Sequence, residues 1–488
     1  MLTNYWKKEG AQMQTEYEVV MGLEVHVELN TKSKIFCGCS TKFGKEPNTQ
    51  VCPVCLGLPG TLPVLNKKVV EYAVIAGIAT NCKISKLSKQ DRKNYFYPDL
   101  PKAYQISQYD MPICEKGSVE IDLKGKTKTI GITRIHIEED AGKLIHDEEH
   151  GSLVDYNRGG VPLIEVVSEP ELSSWQEADA YLKKLRAIFL YTGISDCKMN
   201  EGSFRCDVNL SVRKKGSEKL GTRTEMKNLN SFTSIMKAIE NETQRQIKLL
   251  ESGRKVVQET RRWEQDKNKS ISMRNKEDSH DYRYFPDPDL MPIVLNEDYI
   301  ENIRKDIVEL PDERKRKYIE NFGLLSYDAE QIVSNKKLAD FFEMTATRIK
   351  KPKIAANIIM TDIMRLLSKE GDEDGEIPFK SDDFVELINF IDEGVINNSI
   401  AKKVLEKMWT EKLLPGDIIQ RDNLKLLTDE KVLNEIINEV LLQNKKSVDD
   451  YKAGKEKALQ ALIGQVMGET SGRAEPNVTK KIITEKLL

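Results

Sequence analysis

No apolar run in this chain approaches the roughly 20 residues that a membrane-spanning helix needs, so a membrane protein of the helical kind is excluded. No secretory h-region stands at the start either. Met1 to Glu16 carries Lys7, Lys8, Glu9 and Glu16, and reads as a loose N-terminal extension with Met13 as an alternative start. A basic excess is missing as well. There are 75 Lys and Arg against 78 Asp and Glu, a formal net charge of −3, so RNA contact has to come from local patches and not from bulk charge. Internal repeats, low-complexity tracts and a glycine-rich phosphate loop of the Walker or Rossmann type are all lacking, so a nucleotide would be held by other means. These absences leave a soluble, cytoplasmic protein with no membrane partner. Its 488 residues allow roughly two to four domains, and 39% hydrophobic with 31% charged residues suits a real core under a charged surface.

Cysteine is sparse, but four of the eight form a pattern. Cys37-x-Cys39 and Cys52-Pro53-Val54-Cys55 are two tight pairs, each able to present two thiolates from a turn. One tetrahedral Zn²⁺ would pin such turns together, and a site with four cysteine ligands has no open position for chemistry. Iron is the competing metal by softness. Disulfides need an oxidising compartment, which nothing in the chain suggests. Cys82, Cys114, Cys197 and Cys206 lack ligand spacing and read as buried free thiols.

The fold class expected is α+β: a mixed-sheet cradle domain with the zinc-binding four-cysteine element over residues 17–300, an all-α domain over 301–415, and a small helical tail over 416–488. From Val19 to Leu29 apolar residues alternate with Glu24, His26 and Glu28, which is the period of a half-buried strand. Similar strands are expected at 129–137 and 205–212. Helices are expected at 66–79, at 174–192, and at 231–250 with Asn230 or Ser231 as its cap. After Pro292 strand signals fade, and Pro415-Gly416 divides the helical remainder.

Three constellations carry chemistry. The first gathers Glu24, His26 and Glu28, the carboxylate run Glu138-Glu139-Asp140, Glu165 inside an apolar strand, the alternating Arg205-x-Asp207-x-Asn209, and Glu225-x-Lys227. An ionised carboxylate such as Glu165 is costly to bury alone, and a hard cation such as Mg²⁺ would offset that cost. Pairing with Arg158, Arg205, Lys93 and Lys143 in ordinary salt bridges is the other reading. The second constellation is aromatic. Residues 91–108 and 280–290 are rich in Tyr, Phe, Pro and amides without a helical period, so they read as loops that stack bases or wall a pocket. The third is basic: Arg261, Arg262, Lys267, Lys269, Arg274 and Lys276, then Arg314 to Lys317, which read as phosphate contacts or a solvated loop.

Seven ordered motifs then amount to a resemblance. They are Gly22-Leu-Glu-Val-His-Val-Glu-Leu29, Asp91-Arg-Lys-Asn-Tyr-Phe-Tyr-Pro98, His136-Ile-Glu-Glu-Asp-Ala-Gly-Lys143, Val161-Pro-Leu-Ile-Glu165, Arg205-Cys-Asp-Val-Asn209, Lys227-Asn-Leu-Asn-Ser-Phe232 and Asp281-Tyr-Arg-Tyr-Phe-Pro286. From about Tyr17 to the C-terminus the chain resembles the B subunit of the tRNA-dependent aspartyl/glutamyl-tRNA(Asn/Gln) amidotransferases. The resemblance implies a glutamine-hydrolysing carbon–nitrogen ligase. ATP phosphorylates the side-chain carboxylate of mischarged Glu-tRNA(Gln) or Asp-tRNA(Asn), and ammonia then displaces the phosphate. A partner amidase, the A subunit, supplies the ammonia through a tunnel, and a small C subunit bridges the two in a heterotrimer.

The resemblance also assigns roles. Mg²⁺ is placed on His26, Glu139 and Glu165, with Glu24 and Glu225 lining the same site and Lys93 as an active-site or tunnel lysine. Arg158, Asp207 and Lys227 face substrate or ATP. Lys452, Lys455, Lys457 and Arg473 in the tail contact the tRNA body, although Glu475-Pro-Asn-Val-Thr-Lys-Lys departs from the family pattern there. The zinc cysteines are implied to be structural, since some members lack them. Two alternatives stay open. A relative that pairs with an asparaginase-like partner would carry a large inserted domain, which is not visible here. A non-catalytic tRNA-binding scaffold would not need a histidine and carboxylates facing one another.

Overall fold

A computed structural model describes residues 16–123, 125–147, 151–275, 281–371, 375–427 and 429–487. The N-terminal extension lies outside the described residues, apart from Glu16, and so does Lys276. The chain divides into two compact units at Leu310 and Pro311.

In the first unit the described strands are β1 (Tyr17–Glu28), β2 (Lys83–Ile84), β3 (Leu87–Ser88), β4 (Asp91–Asn94), β5 (Tyr104–Ser107), β6 (Cys114–Leu123), β7 (Lys126–Glu139), β8 (Lys143–Asp147) and β9 (Gly151–Asp155). They continue with β10 (Pro162–Ser168), β11 (Phe204–Lys214), β12 (Thr224–Lys227), β13 (Glu259–Glu264), β14 (Lys269–Asn275), β15 (Phe285–Pro286) and β16 (Ile293–Val294). Nine of them form one sheet in the order β14-β13-β12-β11-β1-β10-β7-β6-β2. Pairing is antiparallel except between β12 and β13. Helices α1 (Lys67–Ala79), α2 (Trp175–Thr192) and α3 (Phe232–Glu251) cover one face of it, and α4 (Glu297–Asp306) follows the last strand.

Alternation dictates this packing. Met21, Leu23, Val25 and Val27 of β1 are buried, and Glu24, His26 and Glu28 project from the opposite face. The helices enter through side-chain caps. Asn66 accepts from Lys68 N–H, Ser174 from Glu177 N–H and Ser231 from Ser234 N–H, so Ser231 and not Asn230 caps α3. At Gly77 in α1, a Cβ would collide with Cys114 Sγ and Ile84 Cδ1, so only glycine lets this helix approach the sheet so closely. Cys82, Cys114, Cys197 and Cys206 are buried thiols in no disulfide, as expected.

The aromatic segments depart from the loop expectation. Residues 91–94 and 104–107 are strands, and β15 joins them in a three-stranded sheet of order β15-β4-β5. Arg92 secures this pairing, donating from Nε to Asp287 at 2.7 Å and from Nη2 to Asp289 at 2.9 Å. The two tyrosine-rich stretches therefore form one piece, although nearly 200 residues separate them.

The regular elements described in the second unit are helices, from Pro311–Phe322 to Pro476–Leu487. Leu433, Ile437, Val440, Leu462, Val466 and Ile483 make a separate core at its C-terminal end.

Candidate functional site

Strand register builds the site on the face of the sheet opposite the helices. His26 of β1 stands across from Glu165 of β10, which stands across from His136 of β7. His26 Nε2 lies 3.1 Å from Glu165 Oε2, and His136 Nε2 lies 3.5 Å from the same oxygen. Glu138, two residues along β7 from His136 and therefore on its face, accepts from His136 at 3.1 Å and from Ser107 Oγ at 3.1 Å, and is also bound by Gln105. His26, Glu138 and Glu165 bring one ligand atom each within 4.8 Å of one another.

One residue of the expected ligand set, Glu139, lies outside this group. Glu139 points away from the cluster, because adjacent residues of a strand face opposite ways. Its carboxylate is held by Lys102 Nζ at 2.5 and 2.7 Å and by Ile106 N–H at 2.8 Å. Of these two neighbours it is Glu138 that shares a face with His26 and Glu165.

A second group adjoins the first. Glu24 of β1, Asp207 of β11 and Glu225 of β12 also bring carboxylate oxygens within 4.8 Å of one another. Lys227 Nζ sits among them, 2.8 Å from Asp207 and 3.0 Å from Glu225. Asn209 Nδ2 donates to Glu24 at 2.8 Å, and Thr260 Oγ1 to Glu225 at 2.8 Å.

The electrostatics follow from this crowding. Burial raises the pKa of Glu24, and the charges of Glu165 and Glu225 raise it further. Burial works against the cationic forms of His26 and His136, but the neighbouring carboxylates outweigh it. For His136 the pKa is pushed up to about 9, Glu165 being the largest raising influence. Burial disfavours the Glu165 carboxylate, yet the two histidines hold its pKa well below the ordinary value. Carboxylates crowded onto one face in this way fit a divalent cation. The all-oxygen set of Glu24, Asp207 and Glu225 suits a hard ion such as Mg²⁺, and the set with His26 accepts a softer one as readily.

Lys93 is half-buried at the edge of this face. Its Nζ lies 5.0 Å from the Tyr282 ring centroid and 5.9 Å from that of Tyr95. Burial opposes its charge, but Glu138 and its surroundings outweigh this and raise the pKa. Arg158 sits apart from both groups. It donates to the carbonyls of Ala141 and Gly142 and lies 3.6 Å from Asp140, which Arg205 binds at 2.8 Å. Beside them burial and Asp140 push the Glu28 carboxyl up to about 9.

The four cysteines also converge. Cys37, Cys39, Cys52 and Cys55 bring their sulfurs within 4.8 Å of one another. Cys55 Sγ accepts from the Cys52 N–H at 3.1 Å and lies 3.7 Å from Lys34 Nζ. Four clustered sulfurs with backbone and ammonium donors are a donor set that fits zinc.

The basic constellation fares differently. Arg261 is buried, with Nε 2.9 Å from Ser270 Oγ and Nη1 2.5 Å from Glu259 Oε1, so it faces no phosphate. Arg314, Lys315 and Lys317 pair with Asp340, Glu330 and Glu343. In the tail, Lys455 pairs with Asp450 at 2.9 Å, and Arg473 donates to the carbonyls of Thr470 and Asn423. Lys452 and Lys457 are exposed.

Reasoning from sequence gave His136 and Lys102 no role, and counted Glu138 in the acidic run without setting it apart from Glu139. His136 and Glu138 did carry a signal, their i, i+2 spacing on a strand. Lys102 carried none, because its partner is 37 residues away.

The comparisons with known proteins agree with this architecture. The GatB/GatE catalytic domain family matches residues 19–301, and the GatB domain family matches residues 340–487. The B subunit of an aspartyl/glutamyl-tRNA(Asn/Gln) amidotransferase from Caldanaerobacter subterraneus is 58% identical over 472 residues, covering 97% of this chain and 99% of that one. The corresponding B subunits of a Thermoanaerobacter species and of Caldicellulosiruptor bescii are 58% and 57% identical, again across 97% of this chain and 99% of theirs. A sheet carrying two acidic clusters, followed by a helical unit, is thus a GatB-type catalytic subunit. The chain belongs to the family of aspartyl/glutamyl-tRNA(Asn/Gln) amidotransferase B subunits.

Proposed function

We propose that this chain is the subunit of a cytoplasmic, glutamine-dependent amidotransferase that activates and amidates the side-chain carboxylate of Glu-tRNA(Gln), Asp-tRNA(Asn) or both. The observation that carries this reading is the pair of adjoining acidic groups on one sheet face, Glu24–Asp207–Glu225 and His26–Glu138–Glu165. Phosphoryl transfer needs bound cations and positioning more than a protein nucleophile. When bound, Mg²⁺ would neutralise phosphate charge and polarise the transferred phosphoryl group.

The chain's own residues do the rest. The substrate carboxylate attacks the γ-phosphorus of ATP and ADP leaves, giving an acyl phosphate. Lys93 and Lys227 offer fixed positive charge beside the clusters, where negative charge accumulates on the reacting phosphate. Ammonia attacks the acyl carbon, inorganic phosphate leaves with the electron pair of the broken bond, and one ammonia proton passes to that phosphate. The ammonia comes from glutamine hydrolysed in a partner amidase, the A subunit, with a small C subunit completing a heterotrimer. Tail residues Lys452 and Lys457 are exposed and would meet tRNA phosphates, and Lys455 and Arg473 would have to leave their present partners to do so.

The test uses the chain co-expressed with its amidase and small partners, given mischarged Glu-tRNA(Gln), glutamine, ATP and Mg²⁺. Gln-tRNA(Gln) and ADP should form together, and both should vanish when the chain or ATP is omitted. Tight tRNA binding without ADP or amide would favour a scaffold and sink the proposal.

A further inference from the structure

The four-cysteine element and the sheet share more than covalent continuity. A cavity of about 120 Å³ lies between them, lined by Phe36, Cys37, Cys55 and Gly57 on one side and by Lys102 and Glu139 on the other. Lys102 reaches across the gap. Its Nζ lies 5.7 Å from the Phe36 ring centroid and 5.3 Å from that of Tyr104, and it grips both oxygens of Glu139. Gly57, two residues after Cys55, lies against the Lys102 side chain so closely that a Cβ there would collide with Lys102 Cγ. Its φ of +65° is also a conformation that glycine adopts freely.

Contacts continue inward from there. Glu139 Oε1 accepts the Ile106 N–H at 2.8 Å. The residues flanking Ile106 are Gln105 and Ser107, and both hold Glu138. Glu138 is thus the member of the acid–histidine cluster whose carboxylate depends on the placement of β5. An unbroken series of packed and hydrogen-bonded groups runs from the cysteine loop to the cluster.

We propose that the four-cysteine element is a clamp: metal loading at Cys37, Cys39, Cys52 and Cys55 fixes Gly57 and Phe36 against Lys102, keeps Lys102 on Glu139, and so seats β5 where Gln105 and Ser107 hold Glu138. Lys102 and Glu139 are positioning residues in this scheme. Glu138 matters to catalysis only on the reading given under Proposed function, but the seating of β5 stands apart from it.

The experiment is hydrogen exchange on the full chain, read at the Ile106 amide by fragment-resolved mass spectrometry. Zinc-loaded, chelator-stripped and variant proteins are compared. Stripping should speed exchange at Ile106 by at least about tenfold, the scale expected for losing one hydrogen bond to a charged acceptor. Zinc-loaded Gly57→Ala and Lys102→Met should speed it similarly while keeping their metal. A stripped chain that loosens only at residues 37–61, with Ile106 unchanged, would overturn the clamp. If stripping unfolds the whole unit, zinc-loaded Gly57→Ala decides alone: faster exchange at Ile106 supports the clamp and wild-type exchange overturns it. Absence of amidation by zinc-loaded wild type would sink the proposed function without touching this readout.

Discussion

Glu138 and Glu139 are neighbours in the chain, yet separate partners hold their carboxylates: His136 at 3.1 Å for the first, Lys102 at 2.5 Å for the second. One faces the cluster on the sheet and the other faces the four-cysteine element. Their substitution should therefore have separable effects.

Glu138→Gln should weaken Mn²⁺ binding to the chain by at least about 10–100-fold, since it removes a ligand and perturbs His136. Glu139→Gln should leave that affinity close to wild type. Calorimetric or magnetic-resonance titration with Mn²⁺ distinguishes them, and equal losses in both variants would show the assignment to be wrong.

The wild-type chain should carry about one zinc, and Cys37→Ser or Cys55→Ser should lower that content sharply. Elemental analysis of purified protein measures it. Full retention of metal in both variants would place the zinc elsewhere.

A buried ion cluster predicts an acid-sensitive stability. Glu242 is fully buried, and Arg245, Arg261, Gln246 and Thr224 surround it. Burial opposes its charge, but Arg245 leads the partners that hold its pKa below the ordinary value. A lowered native pKa means the unfolded chain binds the proton more readily. The contribution is thus complete above the unfolded value and is lost as pH falls through the native one. Glu242→Gln should cost about 2–4 kcal/mol near neutrality, because Arg261 and Arg245 lose their counter-charge. Denaturant melts should keep this gap from pH 7 down to about pH 4.5 and draw together only as pH falls below that. Curves that stay parallel below that pH would contradict the assignment.

Gly77→Ala should destabilise the first unit by about 1–3 kcal/mol, since its Cβ meets Cys114 and Ile84 in a packed interior. A paired Cys114→Ala should recover part of the loss. Thermal melts of the single and double variants check both statements.

Lys452→Ala with Lys457→Ala should weaken tRNA binding alike for cognate and non-cognate tRNA, and lower the salt slope by about one unit for each phosphate partner removed. Filter binding across salt concentrations reads both. An unchanged slope would remove these lysines from the interface.

The parts of the site that lay open to reading from sequence are those governed by a local period. In β1 the alternation alone put Glu24, His26 and Glu28 on one face. Glu165 stood out as a carboxylate within an apolar strand. The choice between Glu138 and Glu139 was hidden, because two adjacent acids give no phase until one knows which face of β7 meets the cluster. The strands β4, β5 and β15 were hidden for another reason. Four-residue and two-residue strands have no period to detect, and long-range pairing through Arg92, Asp287 and Asp289 determines them. The fate of Arg261 was equally non-local. A run of basic residues reads as exposed charge until the buried Glu242 of α3 is seen beneath it.

The position of β1 bears on how the protein is made. This strand leaves the ribosome well before its neighbours, yet it lies between β10 and β11, with partners at residues 163–167 and 204–214. Its native strand partners do not exist until more than a hundred further residues have been synthesised. Whatever pairs earlier, such as β6 with β7, the middle of the sheet around β1 closes only late in synthesis. Truncated nascent chains ending before β11 should accordingly be held by chaperones or degraded, and release of a folded first unit should await the strand that closes it.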